Sequence, residues 1–214
     1  MKYQIVVAGV GGQGVLLTAR ILAEAAMDEG QMVWVGEVHG MAQRGGSVVA
    51  TVRIGDVWGP LIKPGGADAL VALELAEALR CREYLSPRSI VVVGTRRIPP
   101  VPVNVGQAKY PSTEEVLEAL REVAENVVAV DAVSIARFAG MGKAENMVLL
   151  GVLAGVGVLP LRPESLLDAA SRLLPPETLE ANRRAFFAGM DEARRHLWRE
   201  SGKGREDFPP AQTA

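Results

Sequence analysis

Gly9, Gly11 and Gly14 take the spacing G-x-G-x-x-G within Val7-Ala8-Gly9-Val10-Gly11-Gly12-Gln13-Gly14-Val15-Leu16-Leu17, where an apolar run breaks and an amphipathic one begins. In that spacing the first glycine permits a tight turn, the second a close backbone approach to a ligand, and the third close helix packing. The first N–H groups of the following helix lack partners inside it, so an anion fits in front of them. Gly-rich strand-to-helix turns also form for steric reasons alone, and the spacing leaves both uses open.

A second group lies further on. The segment Val35-Gly36-Glu37-Val38-His39-Gly40-Met41-Ala42-Gln43-Arg44-Gly45-Gly46-Ser47 brings an acid, an imidazole, an amide, a guanidinium and a hydroxyl into one glycine-bracketed stretch. Arg44 suits a phosphate or carboxylate, and His39 can bind an oxyanion or move a proton near neutral pH. The plain alternatives are a hydrogen bond from His39 to a nearby carbonyl and pairing of Arg44 with Glu37 or with a partner chain. Glu37 is the residue a dinucleotide fold would use on a ribose, yet it follows Gly9 by 28 residues where about 20 are expected. That demotes dinucleotide binding.

The elements that must position these residues follow from periodicity. Tyr3 to Ala8 reads as a buried strand, Val15 to Glu29 as a helix closed by Gly30, and Met32 to Val38 as a second strand. Strand, helix and strand in this order make the unit of a parallel sheet. The loop after the second strand then leaves the same sheet edge as the glycine turn, where open α/β sheets bind ligands, and the two loops share one crevice. Ser47 to Ile54 alternates as a strand between two environments; Ala69 to Leu73, Ser89 to Val93 and Val127 to Val130 are short buried strands. The four prolines between Arg97 and Pro111 predict a loop, and Ser112 with Glu115 a capping box. Helices are expected over Ala144 to Val156, Pro163 to Leu174 and Pro176 to Arg199. The last is amphipathic, with Leu179, Phe186 and Met190 on one side, so it should pack across the sheet or a partner.

The chain has 214 residues, 49% of them hydrophobic and 22% charged, with a net charge of −2, which fits one soluble α/β domain and gives no basic stripe for nucleic acid. No leader pattern opens it, and the apolar run from Met147 to Leu161 is shorter than the roughly 20 residues of a membrane span. Cytoplasmic residence is the expectation. The single cysteine, Cys81, can form no internal disulfide and reads as a packed or half-exposed free thiol. With no Cys-x-x-Cys run, the chain holds no iron–sulfur cluster by itself.

The glycine turn and the segment Glu37 to Gly46 together closely resemble the gamma domain of 2-oxoacid:ferredoxin oxidoreductases, in particular its indolepyruvate branch. Further matching pieces are Pro60-Leu61-Ile62, Gly66-Ala67-Asp68, the Leu73-Glu74 region, Asn146 to Gly151 and Glu180 to Gly189. The resemblance implies a single three-layer α/β domain over residues 1–200 with a mainly parallel, Rossmann-like sheet; at 201–214 Gly, Lys, Pro, Gln and Thr prevail without periodicity, which predicts a disordered tail. It implies a reaction in which a 2-oxoacid loses carbon dioxide on thiamine diphosphate, electrons pass through iron–sulfur clusters to ferredoxin, and the acyl group passes to coenzyme A. No thiamine diphosphate motif is evident here. The resemblance therefore implies a cofactor-poor small subunit, inactive alone, of a heteromer whose large subunit carries both cofactors. The expected binding residues are Gly9, Gly11, Gly12, Gln13, Gly14, His39, Gln43 and Arg44, facing coenzyme A or the oxoacid at the subunit interface, with no catalytic residue assigned and no metal site. The other readings are a free-standing nucleotide- or flavin-binding protein and a non-catalytic scaffold. An isolated chain can also pair with itself through apolar surface meant for its partner.

Overall fold

Seven residues separate the second strand from the third, too few for a crossover, and this decides the sheet. The computed structural model describes residues 2–39 and 46–200. β1 (Lys2–Val10) leads through the glycine turn into α1 (Val15–Asp28), which returns to β2 (Val33–His39). β3 (Ser47–Gly55) then pairs antiparallel with both β2 and β1. A short connection can only fold back, so β3 fills the slot between β1 and β2. The expected unit is thus corrected in one respect: β2 runs in the direction of β1 without being its neighbour. β3 alternates between half-buried and buried residues along its length, as its sequence pattern predicts.

β4 (Ala69–Ala72), β5 (Ile90–Gly94) and β6 (Asn126–Val130) extend the other side of β1 in parallel, giving the order β2-β3-β1-β4-β5-β6. Their side chains are buried on both faces, which is why these strands read as continuous apolar runs. Helices cover both faces. α2 (Leu75–Arg80) and α4 (Thr113–Arg121) pack over one core around Leu70, Val91 and Leu120. On the opposite core lie α1, α5 (Ala132–Phe138), α6 (Glu145–Val156), α7 (Pro163–Leu173) and α8 (Leu179–Glu200). This is the three-layer arrangement.

The Pro-rich stretch departs from the expected loop: Val101–Asn104 forms a one-turn helix, α3. Proline lacks an N–H and has a preset φ, so it is tolerated in a first helical turn, where Pro102 stands. Ser112 and Glu115 do form the capping box of α4. The final helix starts later than expected, with a 3-10 turn at Pro176–Thr178 before α8, which packs on α6 more than on the sheet. The tail at 201–214 lies outside the described residues. No helix among the described residues is long and apolar enough to cross a membrane.

Candidate functional site

α1 leaves β1 towards one face of the sheet and α2 leaves β4 towards the other, so a crevice opens between the carboxyl ends of these adjacent parallel strands. The glycine turn fills its near side. Gly12 and Gly14 have φ of +100° and +92°, a left-handed conformation that disfavours other residues, and Gly14 is the N-cap of α1 with no side chain capping the helix. A Cβ on Gly9 would come within 2.9 Å of Val15 Cγ2, and one on Gly14 within 2.9 Å of Asn146 Nδ2, whereas one on Gly12 would meet nothing within 4 Å. The outer two glycines serve packing, and the open ground lies before Gly12 and the first turn of α1.

Gln13 faces inward. Its Oε1 accepts from the N–H of Val10 at 2.8 Å, and its Nε2 donates to the carbonyl of Leu73 at 2.9 Å and to Glu145 Oε1 at 3.3 Å. One buried amide thus ties the turn after β1 to the end of β4 and the start of α6. Glu145 also accepts from Arg96 Nη1 at 2.7 Å, and Arg96 is half exposed at the mouth of the crevice. On the α2 side, Glu74 is 1% exposed and caps that helix, accepting from the N–H of Glu77 at 3.0 Å, from the N–H of Ile98 at 2.8 Å and from the Tyr110 hydroxyl. Burial, together with the hydrogen bond to Glu74, pushes the Tyr110 phenol well above its ordinary range. Ser47, the first residue of β3, donates to Glu77, whose other oxygen meets Arg80 at 3.2 Å.

The two glycine loops do share this edge. Val10 pairs with Ser47, and the N–H of Gly11 donates to the carbonyl of Gly46 at 2.9 Å. His39 ends β2 opposite Val48, and Glu37 stands exposed opposite Ala50. Gln43 and Arg44 lie outside the described residues. Reading the sequence for sites missed Glu145, Asn146, Arg96 and Tyr110. The signal at hand was Glu145-Asn146, two polar residues heading an otherwise apolar helix. Both are buried, and Asn146 Nδ2 has no hydrogen-bond partner among the described residues.

Burial raises the pKa values of Glu145 and Glu77, against the opposing pull of Arg96 and Gln13 on the first and of Ser47 and Arg80 on the second. A carboxyl raised in the folded state binds protons there that the unfolded chain releases, so its contribution is complete below the unfolded value and lost as pH rises through the folded one. Glu145→Gln removes that dependence. We expect the stability of the unmodified chain, relative to the variant, to fall from about pH 4.5 upward and then level off. Urea unfolding of both at a series of pH values measures it; a difference independent of pH refutes the assignment.

The donor set does not fit an iron–sulfur cluster or the metal of thiamine diphosphate. Cys81 is buried, with its thiol pushed up to about 12, mainly by burial, and no group of three His, Cys, Asp or Glu among the described residues can hold a metal.

Comparison with known proteins fits this geometry. The gamma subunit of a keto/oxoacid ferredoxin oxidoreductase from Geobacter sulfurreducens superposes with a TM-score of 0.65 at 24% identity, over 89% of this chain and 98% of that one. A 2-oxoglutarate:ferredoxin oxidoreductase from Magnetococcus marinus, with 2-oxoglutarate, coenzyme A and succinyl-CoA bound, gives a TM-score of 0.67 at 21% identity, over 91% of this chain but only 31% of the longer one. Fold and crevice therefore define an α/β domain with the fold of those chains. The family model for pyruvate ferredoxin/flavodoxin oxidoreductases matches residues 4–192. The indolepyruvate oxidoreductase subunit IorB of Archaeoglobus fulgidus is 45% identical over 193 residues, 90% of this chain and 96% of that one. The chain belongs to the pyruvate ferredoxin/flavodoxin oxidoreductase family, as a subunit of an oxidoreductase.

Proposed function

We propose that this chain is the small subunit of a heteromeric indolepyruvate (arylpyruvate):ferredoxin oxidoreductase, acting in the cytoplasm. The observation that carries the reading is the match, at nearly full length on both sides, to a subunit of that name. Its large partner carries thiamine diphosphate and the iron–sulfur clusters, which supply decarboxylation and electron transfer to ferredoxin. This chain's part is to shape the interface where coenzyme A and the oxoacid meet the partner. The N–H groups at Gly12 and Gly14 hold an anionic group, Arg44 balances a phosphate or carboxylate, and His39 and Gln43 orient it, while Gly9 and Gln13 keep the turn in shape from behind and Gly11, whose N–H is taken by the carbonyl of Gly46, ties it to the second loop.

The test is reduction of an electron acceptor, dependent on indolepyruvate and coenzyme A, by this chain, by the large subunit, and by the two mixed. Activity only in the mixture supports the reading. No activity in any mixture, with tight flavin or nicotinamide nucleotide binding by this chain alone, replaces it with a free-standing nucleotide-binding protein. Within an active complex, Arg44→Ala is expected to raise the KM for coenzyme A or the oxoacid about tenfold or more, the scale of one lost charge-assisted contact. Unchanged kinetics in an intact complex leave Arg44 a structural role only.

A further inference from the structure

Among the described residues, α2 and α4 pack mainly on β1, β4, β5 and β6 and reach β3 only near its start, where Ser47 meets Glu77; the surface beyond, over β2, is built, not merely bare. Trp34 and Val38 lie on one face of the edge strand β2, two residues on either side of Gly36, and are 41% and 70% exposed. The segment after β3 crosses the same face. Val57 is buried, Arg53 Nη1 donates to the carbonyl of Gly59 at 2.7 Å, and Thr51 Oγ1 donates to the carbonyl of Pro60 at 2.8 Å. Pro60 sits so close to β2 that a Cβ on Gly36 would lie 3.0 Å from it. The backbone of this segment is thus pinned, and pinning holds Trp58 and Leu61 out at 83% and 81% exposure. Large apolar side chains on a fixed backbone lose little freedom on binding, which is what an interface anchor requires.

The surroundings narrow the occupant. As the edge strand among the described residues, β2 has one row of backbone N–H and C=O groups with no neighbouring strand among them, and it contains no proline or lysine to discourage pairing. Arg53 bonds two neutral acceptors, Gln4 Oε1 at 2.9 Å and Gly59 O, and makes no ion pair among the described residues, so a carboxylate brought by a partner has a cation to meet. In the longer 2-oxoglutarate:ferredoxin oxidoreductase this fold is 31% of one chain, joined to much more protein. A domain used in that way has neighbours other than its own copy.

We propose that Trp34, Val38, Trp58 and Leu61 form the anchor by which the large subunit docks, through an extended segment that lies along β2 with apolar side chains on this face and a carboxylate towards Arg53. This rests on the heteromeric reading above. Strand addition supplies main-chain hydrogen bonds, and the two pinned side chains select the segment.

The experiment uses full-length chains. Binding of the large subunit is titrated by calorimetry for the unmodified chain, for Trp58→Ser/Leu61→Ser, and for Phe138→Ser, a matched control 94% exposed elsewhere. We expect the double variant to keep its melting temperature and its state of association, to raise Kd tenfold or more, and to recover full oxidoreductase activity when added in excess. Equal Kd for the double variant and the unmodified chain, in a complex that forms and turns over, overturns the docking site while the functional reading stands. Absence of binding by the unmodified chain overturns both. A self-paired unmodified chain made monomeric by the two substitutions, with large-subunit affinity unchanged, gives the surface to a second copy and also overturns the proposal. Arg53→Glu supplies a second measure: weaker binding supports the carboxylate contact, and unchanged binding removes it.

Discussion

Replacing Gly151 with alanine is expected to destabilise the chain by about 3 kcal/mol or more, the upper end of the cost of overfilling a packed core. The cause is where α6 meets α8. A Cβ on Gly151 would lie 2.0 Å from the carbonyl oxygen of Phe186, and a Cβ on Gly189 would lie 2.0 Å from that of Val148. Each glycine thus lets the backbone of the opposite helix into the space a side chain would fill, and Gly155 repeats the contact one turn on, 2.8 Å from the carbonyl oxygen of Met190. Neither clash can be relieved by a rotamer change, because the obstacle is main chain. The helices must separate, and Phe186, Met147 and Leu150, all fully buried, would lose contacts with them. For a chain of this size the melting temperature is expected to fall by roughly 6–12 °C. Calorimetric melting of Gly151→Ala and Gly189→Ala measures it; a loss below about 1 kcal/mol for both would mean that the helices slide apart at little cost.

This contact also marks the limit of what could be read in advance. Strand and helix positions were legible because burial on two faces leaves unbroken apolar runs at β4, β5 and β6, while β3, covered unevenly, alternates. The shared edge of the two glycine loops was legible from topology, since it follows from β1 and β2 pointing the same way whatever lies between them. Partners distant in sequence were not. Gln13 reads from the chain as one more polar residue in a ligand loop, and nothing local says that Leu73 and Glu145 will arrive beside it, 60 and 132 residues later. The glycines of α6 and α8 show a four-residue spacing only on α6, at Gly151 and Gly155; on α8, Gly189 is flanked at that spacing by Ala185 and Ala193, which ordinary helices also contain. Asp56 to Pro60, with Trp58 in it, reads as a turn from its glycine and proline, but that the turn is fastened over β2 depends on Thr51 and Arg53.

The second large effect is expected from the amide of Gln13. Only an amide can accept from the N–H of Val10 and donate to the Leu73 carbonyl and Glu145 at once. Gln13→Leu fills the space and leaves all three without that partner in a buried place, at a cost of about 1–3 kcal/mol for each group that finds no substitute. Gln13→Glu keeps the acceptor for Val10 but sets a second carboxylate against Glu145 and the Leu73 carbonyl, so it should be no better tolerated at neutral pH and should improve as pH falls and a carboxyl is protonated. The two substitutions separate a packing role from a polar one, since a packing role would favour whichever side chain fits best at every pH. Pairing Gln13→Leu with Glu145→Gln tests the link itself. With Gln13 gone, Glu145 keeps Arg96 alone, so the second change should cost less than it does in the unmodified chain, with a coupling of about 0.5–3 kcal/mol measured by urea unfolding. In the reconstituted enzyme the same variants should lower the rate before they lower subunit affinity, because the amide shapes the turn at the crevice and lies away from the Trp58 surface. Additive stabilities, or an affinity that falls while the rate at saturation holds, would assign Gln13 to docking instead of to the turn.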